Sequence, residues 1–166
     1  MILAKLPRRA NDSYGSGAFG ASRGSRTHHG IDFECPTEWG FEVSDAGVLS
    51  KLEYPSGVEV VAPASGKVTK LGYPYGDDLS FRYVEVTDSE KRRHRVFYVE
   101  PSVTLGQEVV FGQTPIGVSQ DLTKRYPRGM TPHVHYEIIL NGKHINPDSL
   151  ETTLSSGCFL LFIVMK

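Results

Sequence analysis

His133-Val134-His135-Tyr136-Glu137-Ile138-Ile139-Leu140, closed by Asn141-Gly142, is the stretch that decides the fold. An apolar and aromatic run ending in an Asn-Gly pair reads as a strand entering a tight hairpin turn. Side chains alternate along a strand, so His133, His135 and Glu137 leave from one face. Far upstream the chain reads His28-His29-Gly30-Ile31-Asp32. Two imidazoles and a carboxylate drawn from these two stretches are the usual ligand set of a hydrolytic zinc site, with a fourth position left for water. The extra histidine is then available to act on that water or on the substrate.

Outward from that strand, the remaining pattern is also β. Arg82-Tyr83-Val84-Glu85-Val86 and His94-Arg95-Val96-Phe97-Tyr98-Val99 alternate on either side of a polar turn and read as a hairpin. Val58–Val61 and Gly66–Leu71, punctuated by Pro63 and Gly66, read as another. Glu108–Phe111 and Pro115–Val118 follow as short strands, with a turn near 121–126. Helical periodicity is confined to Asp148–Leu154. The expectation is an all-β, compact antiparallel domain with long loops around a metal groove.

Three segments are expected along the chain. Residues 1–27, rich in Gly, Ser and Arg, read as an extended or loosely ordered arm leading into the site. Residues 28–154 form the metal-binding domain. Residues 155–166 are an apolar tail whose run Cys158–Met165 is far short of the ~20 residues a membrane-spanning helix needs. That run reads as a last strand or a docking segment.

A length of 166 residues suits one domain with a real core. The formal net charge of -1 gives no electrostatic case for a nucleic-acid partner. The basic clusters at Arg23–Arg26 and Lys91–Arg95 read as solvated charge, and His94 and His144 as solvent-facing. Two isolated cysteines, Cys35 and Cys158, make neither a disulfide framework nor a thiolate site. The start, Met1–Arg9, lacks the apolar core of a secretory signal, so the expected address is a cytoplasm, or release by a route other than standard export.

At these residues the chain resembles the lysostaphin/LytM-type zinc endopeptidases, which cut the peptide cross-links of bacterial cell walls. His28-x-Gly30-x-Asp32 looks like the first metal motif of that family, and Pro132-His133-x-His135-x-Glu137 like its second. Val60-Val61-Ala62-Pro63 with Gly66-x-Val68 resembles its paired-strand signature. Gly106-Gln107 and Gly112-Gln113 resemble its repeated turns, and Gly142–Pro147 its closing turn. The resemblance implies that His28, Asp32 and His135 hold zinc and that His133 is catalytic. The family also has a Tyr-x-His whose histidine supports catalysis. Here Tyr98-Val99-Glu100 puts Glu100 in that place. A vertebrate extracellular chemotaxin with this fold, regarded as a binding protein, likewise lacks the histidine and resembles the chain around Tyr126-Pro127-Arg128-Gly129.

The expected function is therefore zinc-dependent hydrolysis of peptidoglycan peptides, by a phage lysis enzyme (endolysin) or a virion tail component able to contact other virion proteins. Glu100 is expected to act as partner base or to orient His133. Glu137 is expected to hold the second nitrogen of a ligand histidine, and Tyr98 to line the groove. The alternative is a zinc-stabilised module that binds wall peptides without turnover, or a structural virion protein.

Overall fold

The computed structural model describes residues 3–35, 38–43, 49–53, 57–153 and 162–164. Its strands are β1 (Leu3–Lys5), β2 (Ser22–Arg23), β3 (Arg26–Thr27), β4 (Ile31–Glu34), β5 (Glu38–Val43), β6 (Leu49–Glu53), β7 (Glu59–Val61) and β8 (Gly66–Gly72). They continue as β9 (Tyr83–Thr87), β10 (Arg93–Phe97), β11 (Val99–Pro101), β12 (Glu108–Val109), β13 (Pro115–Ser119), β14 (His133–Leu140), β15 (Lys143–Ile145) and β16 (Phe162–Val164). The only helical pieces among the described residues are a single 3-10 turn at Leu122–Lys124 and a seven-residue 3-10 helix at Pro147–Thr153. The fold is all-β and antiparallel, as the sequence pattern predicts.

Two larger sheets carry the domain. One runs β12-β8-β9-β10-β14, with β4 and β15 end to end on the far edge of β14. The other runs β1-β16-β7-β13-β11. Two small hairpins, β2-β3 and β5-β6, stand apart. The core lies between the larger sheets and is built from β-branched residues, among them Val60, Val68, Val84, Val86, Val96, Val99, Ile116, Val134 and Ile138. Such side chains are stiff and fit a pleated surface, which is why these short runs form strands. On β14 the alternation is clean: Val134, Tyr136 and Ile138 enter the core, while His133, His135 and Glu137 line a groove on the opposite face.

The hairpin joining 82–86 to 94–99 is present, with Val84 opposite Val96. β14 spans the expected residues and turns back through Asn141 and Gly142, both at positive φ (51° and 77°), as a two-residue hairpin turn requires. The expected pairing of 58–61 with 66–71 does not form. β7 belongs to one sheet and β8 to the other. Pro63 has no N–H to extend the ladder, and Ala62 instead donates to the carbonyl of Thr114. Gly66 lies so close to Thr87 that a Cβ would sit 2.2 Å from its carbonyl oxygen, which fixes β8 against β9.

The arm is not loose from Leu6 onward. Leu6 is buried in the core. Glu34 N–H donates to Pro7 O and Arg9 N–H to Asp32 O, so this segment runs as an edge along β4. Of the apolar run 158–165, the described part is β16, which pairs with β1 and β7 as a final strand. Cys158 lies outside the described residues.

Candidate metal centre

β4 and β14 pair antiparallel, with Asp32 directly opposite His135. The register brings Asp32 Oδ1 to 2.9 Å from His135 Nδ1. His28, the first residue of the loop between β3 and β4, places Nε2 3.1 Å from the same oxygen and 2.9 Å from His135 Nδ1. Three donor atoms from two segments thus converge on one point. Gly30 explains why the first motif needs a glycine. A Cβ there would stand 2.2 Å from the Tyr136 carbonyl oxygen and 2.8 Å from the His135 ring.

Each donor is oriented from behind. His28 Nδ1–H donates to Ala18 O at 2.9 Å, which leaves the Nε2 lone pair for the site. Phe97 packs its ring edge-on against His135, centroids 5.3 Å apart. His135 Nε2 faces Glu137 Oε2 at 3.7 Å. Glu137 is itself held by Arg95 and by His144, each at 3.2 Å. Burial raises the pKa of the Asp32 carboxyl, but hydrogen bonds from His135 and His28 outweigh it and hold the group ionised well below the usual range. Burial opposes charge on His135, yet Asp32 and Glu137 push its pKa up to about 8 in the metal-free chain.

His133 is turned the other way round. Its Nδ1–H donates to Thr131 O at 2.7 Å, so Nε2 points into the groove, 3.7 Å from Asp32 Oδ1. Burial lowers its pKa more than Asp32 raises it, which favours the neutral ring with an available lone pair. The ring of Tyr98 meets it edge-on at 5.6 Å. Tyr126, Tyr75 and Tyr98 form a chain of hydroxyl hydrogen bonds at 3.1 and 3.0 Å along the same wall.

These groups line an open groove of about 450 Å³. Glu100 is not among them. Its side chain is 60 % exposed and turns to Gln120 Nε2 (3.2 Å) and Arg82 Nη1 (3.9 Å). The cause is local: Tyr98 adopts φ 63°, which ends β10 and delivers Glu100 to β11 in the other sheet. The structure therefore does not bring Glu100 to His133.

His29 stacks on His144, centroids 4.2 Å apart, beside the donors rather than among them. His94 is not solvent-facing. It is buried, donating to Asp88 Oδ2 at 3.1 Å and accepting from the Tyr136 hydroxyl at 2.7 Å. The basic clusters are likewise engaged: Arg92 and Arg95 pair with Asp88, Glu85 and Glu137, while Arg23 and Arg26 line the groove.

Arg9 is the residue the sequence reading missed. It is buried, and its Nε and Nη2 donate to Asp32 Oδ2 at 3.1 and 2.8 Å. The sequence carried one faint sign of it, the i,i+3 spacing of Arg9 and Asp12.

The donor set fits a zinc ion. Two neutral-capable imidazole nitrogens and one carboxylate oxygen, within about 3 Å of one another and backed by hydrogen bonds, are a catalytic rather than a closed structural set.

The family model described as Peptidase family M23 matches residues 45–147. The match includes His133 and His135 but starts after His28 and Asp32, so geometry is what ties those two to the second motif. Among solved structures, the chain is similar to the catalytic domain of the prophage-encoded M23 protein EnpA from Enterococcus faecalis. The two are 19% identical with a TM-score of 0.53, covering 95% of this chain and 96% of that one. LytU is similar at 16% identity and TM-score 0.52, over 98% of this chain and 92% of that one. The solution structure of lysostaphin gives 18% identity and TM-score 0.55, over 91% of this chain and 56% of that one. At such identities the likeness is one of fold. No curated protein matches the chain.

Proposed function

The chain belongs to peptidase family M23, and on that premise we propose that it is a zinc-dependent endopeptidase acting on the peptide cross-links of bacterial peptidoglycan. The observation that carries this is the convergence of His28 Nε2, Asp32 Oδ1 and His135 Nδ1 beside the outward-facing Nε2 of His133. When bound, zinc supplies Lewis acidity and a water acidified to a pKa of about 7.

The rest of the chemistry falls to the side chains. His133 is neutral and oriented by Thr131 O, so its Nε2 accepts a proton in the groove and returns it to the departing amine. The tyrosine wall and the cationic side chains of Arg23 and Arg26 hold an extended peptide against it.

A second reading is favoured by Glu100. The side chain two residues after Tyr98 turns to Arg82 and Gln120, so His133 works without a partner from that strand. In that reading the protein is a zinc-stabilised binder of wall peptides. Clearing of purified cell walls in a gel overlay separates the two. Clearing that disappears with chelator and returns with zinc supports the enzyme, and wall binding without clearing supports the binder.

A further inference from the structure

We propose that Arg9 is a positioning residue that holds Asp32 as a one-oxygen metal ligand by keeping Oδ2 away from the cation. The inference rests on the metal-binding reading above. Both carboxylate oxygens of Asp32 are committed, and to different partners. Oδ1 faces His28 and His135, whereas Oδ2 takes two hydrogen bonds from Arg9 and has Arg23 Nη2 3.8 Å away.

Arg9 is only 4 % exposed. Burying a guanidinium is costly unless its charge and donors are all matched. Here Nη1 is matched by Asp12 Oδ2 at 2.6 Å and Gly15 O at 2.9 Å, so the fork cannot rotate off Asp32 without losing both. Asp12 is fixed in turn by the backbone N–H groups of Tyr14 and Thr131. Thr131 is also the residue whose carbonyl orients His133. Gly17 closes the clamp: its carbonyl accepts from Asp32 N–H, and a Cβ there would meet Arg9 O at 2.7 Å. The segment before β4 is thus a brace for the ligand carboxylate. The Arg9 charge also offsets that of the carboxylate, so a bound cation keeps more of its own.

A structural ion pair and a positioning residue make different predictions once metal is present. The full chain is stripped with chelator and reloaded with cobalt, whose visible absorption is far stronger in four-coordinate than in five-coordinate sites. Wild type is expected to give the strong four-coordinate band. Arg9→Gln frees Oδ2 to swing onto the metal, so the four-coordinate band is lost to the weaker five-coordinate spectrum. Arg9→Lys keeps the charge beside Oδ2 and restores most of the band.

A folded Arg9→Gln protein with the wild-type cobalt spectrum overturns the proposal. Should that variant not fold, Asp12→Asn serves instead, because Asp12 anchors Arg9 without touching Asp32. A weakened four-coordinate cobalt band is then expected, and an unchanged band overturns the proposal. A wild-type chain that takes up no cobalt overturns the metal reading itself, an outcome distinct from the other two.

Discussion

Asp32 and His135 are register partners across β4 and β14, with Oδ1 2.9 Å from Nδ1. The pairing makes the site a property of the sheet rather than of loops. One hydrogen-bonded ladder sets the distance between the carboxylate and the imidazole, and a two-residue slip would separate them. His28 is added from just outside that ladder, and His133 from two residues before its partner.

Ligands and acid–base group should therefore separate experimentally. His135→Ala and Asp32→Ala are expected to abolish stoichiometric zinc, measured by metal analysis after dialysis. His133→Ala is expected to keep one zinc per chain while release of peptide fragments from purified walls falls by about 10²–10⁴-fold. Loss of zinc in His133→Ala would move that residue into the ligand set.

The Gly30 position gives a steric test. Gly30→Ala places a methyl carbon 2.2 Å from the backbone oxygen of Tyr136, and backbone cannot yield as a flexible side chain would. A loss of about 1–3 kcal/mol in the denaturant-unfolding free energy of the metal-free chain is expected, together with weaker zinc binding. Gly20→Ala, where the space is open, controls for the general cost of replacing a glycine, although its φ of 76° carries some strain of its own.

Glu100 illustrates what a strand period can and cannot tell. Alternation from His133 correctly puts His135 and Glu137 on one face, because β14 is an uninterrupted strand of eight residues. Glu100, which the family resemblance puts beside His133, is not there, because Tyr98 sits in the left-handed region and hands the chain to a second sheet. A non-glycine residue at positive φ has no reliable mark in sequence. Arg9 was illegible for another reason: it lies in an aperiodic stretch with several other arginines, and only the fold shows which one faces Asp32. The pairing of β7 with β8 was misread because turn residues reveal where a strand ends but not which sheet the next one joins. Glu100→Gln is accordingly expected to leave wall hydrolysis within about twofold of wild type, and a large loss would restore Glu100 to the mechanism.

His94 predicts the acid limit of the fold. Its ring is neutral between the Tyr136 hydroxyl and Asp88, and burial lowers its pKa below the usual 6.5 despite the pull of the Asp88 carboxylate, with Arg92 also opposing charge. On acidification the unfolded chain therefore takes up this proton first. The contribution of His94 is full above pH 6.5 and declines as pH falls below it, by at most about 1.4 kcal/mol per pH unit. Asp88 adds a loss in the same direction at lower pH, because the hydrogen bonds from Arg92 and His94 outweigh its burial and keep its own pKa low. In the metal-free protein, His94→Gln should start less stable at pH 7.5 yet show a flatter decline between pH 6.5 and 5. Denaturant midpoints across that range measure it, and parallel slopes for the two proteins would mean that His94 titrates alike in the folded and unfolded chain.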